Sequence, residues 1–198
     1  MLGSITPLGE RGRRSTWGVT MTAFLTGSAA GGAAVGALLG LVGAALPPLG
    51  GSGAPRLWVL AGLIALGLAM DVRAAGMALP TVHRQVNEDW LHRYRGWVYG
   101  AGFGFQLGAG VVTVVNVSAV YTAMAAALLA ASPARGAAIG AVFGLLRAAA
   151  AFSVARVRRP AQLAAVDARL RAWDAPSRRV ALGLEVALAG VCLMAAIL

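Results

Sequence analysis

Long apolar stretches that are almost free of charge alternate along the chain with short polar segments. The stretches are residues 15–55, 57–70, 96–134, 136–155 and 180–198, and only the last two contain a charged residue. A helix of roughly 20 apolar residues is long enough to cross the hydrocarbon core of a bilayer. The pattern therefore predicts an all-α, polytopic transmembrane helix bundle that forms a single membrane domain over 1–198.

Two of the stretches are too long for one straight crossing and too short for two. Residues 15–46 would extend about 48 Å as one helix, and residues 96–134 about 58 Å. Non-helical backbone at membrane depth is tolerated where protein or a polar cavity surrounds it. We therefore expect broken, strongly tilted or re-entrant helices in these two stretches.

An internal repeat bears on the number of crossings. Residues 32–45 align without gaps on residues 136–149, with nine of fourteen positions identical and Gly43 paired with Arg147. Inverted halves of this kind are frequent in transporters. A duplication predicts two halves of about three crossings each. These are repeat one at about 14–79 and repeat two at about 97–198, with connectors at 80–96 and 155–179.

The distribution of arginine leaves two topologies open. Five crossings with the N-terminus inside would place 14 of the 17 arginines in the cytoplasm and leave Arg56 and Arg135 outside. The positive-inside rule favours this topology. Six crossings with both termini outside would place 11 arginines in the cytoplasm, and this topology suits the repeat. We expect six crossings. In either topology the connector 155–179 is cytoplasmic and the C-terminus is outside.

Composition excludes a soluble domain and changes the meaning of the net charge. The chain is 59% apolar and 12% charged, whereas soluble domains carry about 25% charged residues. The net charge of +10 is carried by arginines that flank apolar stretches, so it indicates membrane orientation. We expect no nucleic-acid partner, and the composition is typical of a multi-pass protein of a bacterial inner membrane.

Two ionisable residues inside apolar stretches are the strongest candidates for a site, because a charge within a membrane is costly unless it is paired or hydrated. Arg147 lies deep in its stretch, and Glu185 lies five residues into the last one. The two could pair with each other. Alternatively, Arg147 could bind a substrate or partner group, or it could extend to the headgroups or bond to the backbone.

A series of polar residues runs through the third apolar stretch. Gln106, Thr113 and Asn116 are the candidates for a pathway or polar core, and Ser118, Tyr121 and Thr122 follow them. Polar groups at membrane depth need internal partners or water. They therefore predict either a lined pathway or hydrogen bonds between helices.

Glycines spaced four residues apart predict close helix packing. Small residues at this spacing let two helix backbones touch within a membrane. The predicted packing residues are Gly32, Gly36, Gly40, Gly136, Gly140 and Gly144. Such surfaces could be static contacts, or they could slide during a transport cycle.

The sequence supports neither catalysis nor a metal site nor a bound cofactor. His83 and His92 would lie on opposite sides of a helix and could not share an ion. The single cysteine, Cys192, cannot form an internal disulfide or a dithiol redox pair. Neither a nucleophile with its base nor a phosphate-binding loop is present, so we expect no enzyme activity.

Two short segments resemble the transmembrane domain of the CcdA and DsbD type. These segments are residues 5–8, Ile-Thr-Pro-Leu, and residues 102–113, which are rich in glycine. The resemblance extends to the architecture of two halves, with a broken glycine-rich helix that opens the second half. It implies the fold of a small exporter. Both segments lack the cysteines of that family, so electron transfer by a cysteine pair is not implied.

Two functions are compatible with these patterns. The first is a small transporter or permease whose pathway is lined by polar residues of the third stretch and by Arg147. The second is a non-catalytic membrane scaffold or accessory protein for assembly of a redox or envelope complex. The expected partners are the lipid bilayer and either a small solute or another membrane protein.

Overall fold

The chain folds as a bundle of helices. The computed structural model describes residues 6–12, 15–46, 53–73, 94–110 and 118–198, and within these ranges it contains helices and no strands. The helices are α1 (Pro7–Gly12), α2 (Trp17–Ala45), α3 (Gly53–Asp71), α4 (Gly96–Ala109), α5 (Ala119–Leu129), α6 (Pro133–Ala149) and α7 (Pro160–Ile197). A 3-10 turn, Ala150–Val154, follows α6 directly. The predicted all-α class is confirmed.

Four of these helices are long and apolar enough to cross a membrane, namely α2, α3, α6 with its 3-10 extension, and α7. Large apolar side chains such as Leu38, Leu146 and Val191 are exposed on the outer faces of the bundle. A soluble protein seldom exposes so much contiguous apolar surface. The architecture is therefore compatible with a membrane protein.

The first long apolar stretch forms one uninterrupted helix. α2 has 29 residues and is about 43 Å long. We expected a broken, strongly tilted or re-entrant helix in this stretch, and no break occurs within Trp17–Ala45. Trp17–Ala45 is therefore one candidate membrane span.

α4 packs parallel to the first half of α2. The backbone of α4 touches α2 at Gly100, Gly104 and Gly108, which lie against Thr20, Phe24 and Ser28 in the same order along both helices. A side chain at any of these glycines would overlap the backbone of α2. The largest buried cluster lies beside this contact and comprises Met21, Phe24, Tyr99, Phe103, Ala148 and Ala151.

α6 packs antiparallel to α2 on another face, through the repeated segments themselves. Gly32 lies against the carbonyl oxygen of Gly140, and Gly36 lies against that of Gly136. The repeat equates Gly32 with Gly136 and Gly36 with Gly140, so the two contacts are equivalent. The α2–α6 contact therefore has local two-fold symmetry.

The symmetry continues for one more step in each direction. Gly40 lies against the carbonyl oxygen of Ser132, and Gly144 lies against that of Ser28. The Ser28 hydroxyl also donates a buried hydrogen bond of 2.8 Å to the carbonyl oxygen of Gly144. The Ser132 hydroxyl instead accepts from the backbone N–H of Arg135 and caps the N-terminus of α6.

The third long apolar stretch contains two helices. α4 is capped by Gly110, whose φ of 71° lies in the left-handed region that favours glycine. Gly108 in the last turn of α4 is level with Ser28, near the middle of α2, while Leu128 at the end of α5 lies against Gly43 in the last turn of α2. α4 and α5 therefore lie along successive halves of α2, as the expected break implies.

α7 differs from the prediction for its first half. The helical spacing of Leu163, Val166, Leu170 and Trp173 predicts a separate amphipathic helix on the membrane surface over residues 160–179, within the connector 155–179. The structure instead contains one continuous helix from Pro160 to Ile197, with Pro176 inside it. The apolar second half of α7 packs on α3, whereas the first half is largely exposed.

Candidate functional site

The end of α4 at Gly110 and the start of α5 at Ser118 define a site near the middle of α2. We call these two helix ends and the side chains around them the α4–α5 junction. A helix end has unpaired backbone groups and a partial charge, which is positive at the N-terminus and negative at the C-terminus. Both ends therefore need polar partners.

A buried carboxylate satisfies the N-terminus of α5. Asp71, the last residue of α3, accepts the backbone N–H of Ser118 at 3.1 Å on Oδ1 and at 3.0 Å on Oδ2. It also accepts the Ser118 hydroxyl at 2.8 Å. Asp71 is 2% exposed. A negative charge is favourable at this position because it lies at the positive end of the α5 dipole.

A second carboxyl group reaches the same serine from α7. The Ser118 Oγ lies 2.9 Å from Oε1 and 2.8 Å from Oε2 of Glu185, and the Thr122 hydroxyl lies 3.4 Å from Oε1. Glu185 is 5% exposed. Three helices, α3, α5 and α7, therefore contribute the groups around Ser118.

The hydroxyl of Ser118 cannot donate to both carboxyl groups at once, because a serine hydroxyl has one hydrogen. Its bonds to Asp71 and Glu185 are both complete only when one carboxyl group carries a proton and donates to Oγ. The three groups therefore need one shared proton to satisfy both contacts of the hydroxyl.

The C-terminus of α3 is tied to α7 at the same place. The guanidinium of Arg178 donates a hydrogen bond to the backbone carbonyl oxygen of Asp71. A cation is favourable there, because the C-terminus of a helix is its negative end. The contact fixes the first residues of the apolar half of α7 beside Asp71.

Arg147 lies at the other end of the junction. Its Nη1 atom is 3.7 Å from the position that a Cβ on Gly110 would take, and its guanidinium lies 5.4 Å from the centre of the Phe143 ring. The cation is therefore beside the C-terminus of α4, where the helix dipole favours it, and over an aromatic face. The C-terminus of α4 thus has a positive charge beside it, and the N-terminus of α5 has a negative one. Each is the sign of charge that the helix dipole favours there.

A small, partly open cavity lies among the helices next to this junction. Its lining is almost entirely apolar. The residues around it are Gly32, Val35, Gly36, Leu39, Gly108, Ala109, Ala123, Met124, Ala127, Gly140 and Phe143. Phe143 and Met124 also lie beside Gly110, so the cavity adjoins the end of α4.

The structure separates some of the predicted site residues and brings others together. Glu185 bonds to Ser118 and Thr122, whereas Arg147 lies against Phe143 and Gly110, so the two do not form the pair that the sequence allowed. Gln106 is half-buried on α4. The other two predicted pathway residues, Thr113 and Asn116, lie outside the described residues.

A further buried acid lies near the start of α2, about 12 Å along the helix from the level of Ser28. Glu10 of α1 is fully buried and accepts hydrogen bonds from the hydroxyl groups of Thr20, at 2.8 Å, and Tyr99. The backbone of α1 also bonds to the segment after α6, from the N–H of Leu8 to the carbonyl oxygen of Val157. α1 therefore covers this end of the bundle.

Sequence reasoning missed Asp71 and Glu10. Asp71 was assigned to the polar segment after the second apolar stretch, although an acid at a helix C-terminus opposes the dipole and suggests an external partner. Glu10 is the only acid in the first 70 residues. A lone acid among N-terminal arginines could have been recognised as a candidate for burial.

The described residues contain no group of three or more potential metal ligands. The two histidines considered as ligands from the sequence, His83 and His92, lie outside the described residues. Comparison of the chain with protein-family models, with curated proteins and with solved structures finds no match.

Proposed function

We propose that this protein is a small integral membrane transport protein whose pathway passes the α4–α5 junction. The observation that carries the proposal is the helix interruption level with the middle of α2, flanked by Asp71 and Glu185 at one end and by Arg147 at the other. In transporters, discontinuous helices commonly hold the substrate and coupling ions near the bilayer midplane. Ionisable side chains buried inside a membrane bundle are costly, and they often mark substrate or ion pathways.

The charged groups of the junction can exchange a proton and attract an ion, and a packed core requires neither. The hydroxyl of Ser118 lies between the carboxyl groups of Asp71 and Glu185. We propose that this chain of hydrogen-bonding groups can exchange a proton. Arg147 offers a cation beside a small, partly open apolar cavity. The candidate pathway therefore has an acidic side and a basic side, as expected for a small polar or ionic solute.

Five crossings with a cytoplasmic N-terminus suit this arrangement best. In this topology α2, α3, α4 with α5, α6 and α7 each cross once. The bond between Leu8 and Val157 supports it, because it holds the N-terminal segment at the end of the bundle where α6 finishes. The arginine distribution supports it also. The C-terminus is then outside, at a bacterial inner membrane.

The two repeats are then pairs of helices rather than triplets. α2 with α3 corresponds to α6 with α7, and the interrupted helix α4–α5 lies between the pairs. The antiparallel, two-fold contact of Gly32 and Gly36 with Gly140 and Gly136 supports an inverted duplication. The resemblance to the CcdA and DsbD type stays a proposal about the fold and carries no redox chemistry, since Cys192 is the single cysteine.

A scaffold function is the second candidate, and the packing of α2 favours it. α2 touches α4 and α6 backbone to backbone along most of its length, which is typical of a rigid, static core. A scaffold would have a dry junction and would copurify with a membrane partner.

Reaction with aqueous thiol reagents separates the two candidates. Cysteines are introduced singly at Gln106, Thr113 and Arg147 in a Cys192→Ala background, and vesicles are treated with a small membrane-impermeant methanethiosulfonate from either side. Ala148 is fully buried, so Ala148→Cys is the matched control. Transport predicts that at least one of the three positions reacts from one side while the control stays protected.

Protection of all three positions from both sides, in protein that folds normally, would reject the transport proposal and favour the scaffold. Reaction of the Ala148→Cys control at the same rate as the test positions would also reject it. That outcome would mean that the reagent enters the bundle without a defined pathway.

A further inference from the structure

The first half of α7 exposes an apolar stripe in a segment that cannot lie in the hydrocarbon. We call residues 160–179 the arm. It contains the charged residues Asp167, Arg169, Arg171, Asp174, Arg178 and Arg179. Its large apolar residues are only Leu163, Val166, Leu170 and Trp173. Trp173 is 59% exposed and Leu170 40% exposed, so the described residues do not cover the stripe completely.

The four apolar residues follow a heptad pattern. Spacings of three, four and three place Leu163 and Leu170 at position a, and Val166 and Trp173 at position d. Apolar residues at a and d are typical of two helices that pack as a left-handed coiled coil. A surface-lying helix would have a wider apolar face, whereas this stripe is only two positions wide.

The same register continues through the apolar half of α7. Val180, Leu184, Val191 and Met194 occupy further a and d positions, and all four are more than half exposed. On the opposite face of α7, Glu185 and Cys192 are buried, and Glu185 contacts Ser118 of α5. The stripe therefore extends along the whole helix without interfering with the contacts inside the chain.

Charged residues beside the stripe indicate which molecule packs on it. In this register Arg169 is at position g and Asp174 is at position e of the next heptad. A parallel coiled coil places each g residue beside the e residue five positions later on the partner helix. Two copies of α7 would therefore place Arg169 of each copy beside Asp174 of the other. Copies of one chain insert into a membrane in the same direction, so a two-fold pair about the membrane normal is parallel.

We infer that α7 is the interface of a parallel homodimer, in which the stripe of one copy packs on the stripe of a second copy. The two-fold axis runs along the helices, so the α4–α5 junction of each copy remains within its own chain. The inference does not depend on the transport proposal.

Cysteine cross-linking tests the interface in the full-length protein. In a Cys192→Ala background, Leu170→Cys lies on the stripe, and Ala168→Cys at position f lies on the opposite side of the helix. The protein is reconstituted in phosphatidylcholine vesicles and oxidised with copper phenanthroline. We expect disulfide-linked dimers for Leu170→Cys and at least tenfold fewer for Ala168→Cys.

Charge reversal tests the orientation. Arg169→Asp and Asp174→Arg should each lower the cross-linked fraction of Leu170→Cys about tenfold, since each change converts two attractive contacts into repulsive ones. The double reversal should restore cross-linking. Arg171→Asp is the matched control, because Arg171 pairs with Asp167 of its own chain and should leave cross-linking unchanged.

Three results would overturn the inference. The first is equal cross-linking at 168 and 170, and the second is the absence of cross-linking at both positions. The third is failure of the double reversal to restore what the single reversals remove.

Discussion

Replacing Gly36 with alanine should force α2 and α6 apart. A methyl group at this position would overlap the carbonyl oxygen of Gly136 and press on the Cα of Gly140, 3.2 Å away. Both obstacles are backbone atoms, so neither can move aside as a flexible side chain would. Overpacking of this kind costs typically 1–3 kcal/mol. We expect the overpacking to lower the free energy of unfolding by about 3 kcal/mol, because the helices would also lose contact at the neighbouring glycines.

Part of this cost is offset, since alanine favours a helix over glycine by about 1 kcal/mol. The net destabilisation is about 2 kcal/mol, or about a thirtyfold change in the unfolding constant. Thermal unfolding of the purified protein in detergent, followed by tryptophan fluorescence, measures the effect.

Gly62→Ala on α3 is the matched control. A Cβ at Gly62 would meet nothing within 4 Å, so only the helix preference remains and stability should rise slightly. Equal shifts of the melting temperature for Gly36→Ala and Gly62→Ala would refute the close α2–α6 packing.

Three further substitutions test the other buried contacts by the same unfolding assay. Ser28→Ala should cost about 1 kcal/mol, because it removes the buried bond to the carbonyl oxygen of Gly144; no loss would show that this bond is absent. Ser118→Ala should cost about 2 kcal/mol, and Glu185→Gln should then cost less than it does alone, since the two share a contact; additive costs would contradict that contact. Arg147→Ala and Glu185→Ala should instead be additive, because these residues bond to different groups; strong coupling would mean that they pair.

The all-helical class and the interruption after α4 could be predicted from the sequence. Charge-free stretches are a direct signal for membrane helices. Gly110, in a segment dense in glycine, is a position where a helix ends easily. The glycines at 32, 36, 136 and 140 could also be selected, because their four-residue spacing places them on one helix face.

The partners of these residues could not be predicted. The spacing in α2 is the same whether its glycines meet α4, α6 or a second molecule. The junction depends on Asp71 and Ser118, which are 47 positions apart and meet only because α3 ends where α5 begins. Arg147 was recognised as exceptional from the repeat, but its place at the C-terminus of α4 follows from tertiary packing that the repeat does not encode.

The expectation of six crossings came from giving the repeat more weight than the arginines. A repeat of 14 positions covers less than one helix, so it does not determine how many helices each half contains. The proposal of five crossings instead rests on the single helix α2 and on the bond from Leu8 to Val157.

Solute uptake by reconstituted vesicles tests the transport proposal most directly. Swelling of protein-containing and empty vesicles is compared in isotonic solutions of small neutral, anionic and cationic solutes, with pH-sensitive dye inside to report protons. The account predicts protein-dependent uptake of at least one class, and a loss of that uptake in Asp71→Asn or Arg147→Gln protein that still folds. Uptake equal to that of empty vesicles for every solute and for protons would contradict it.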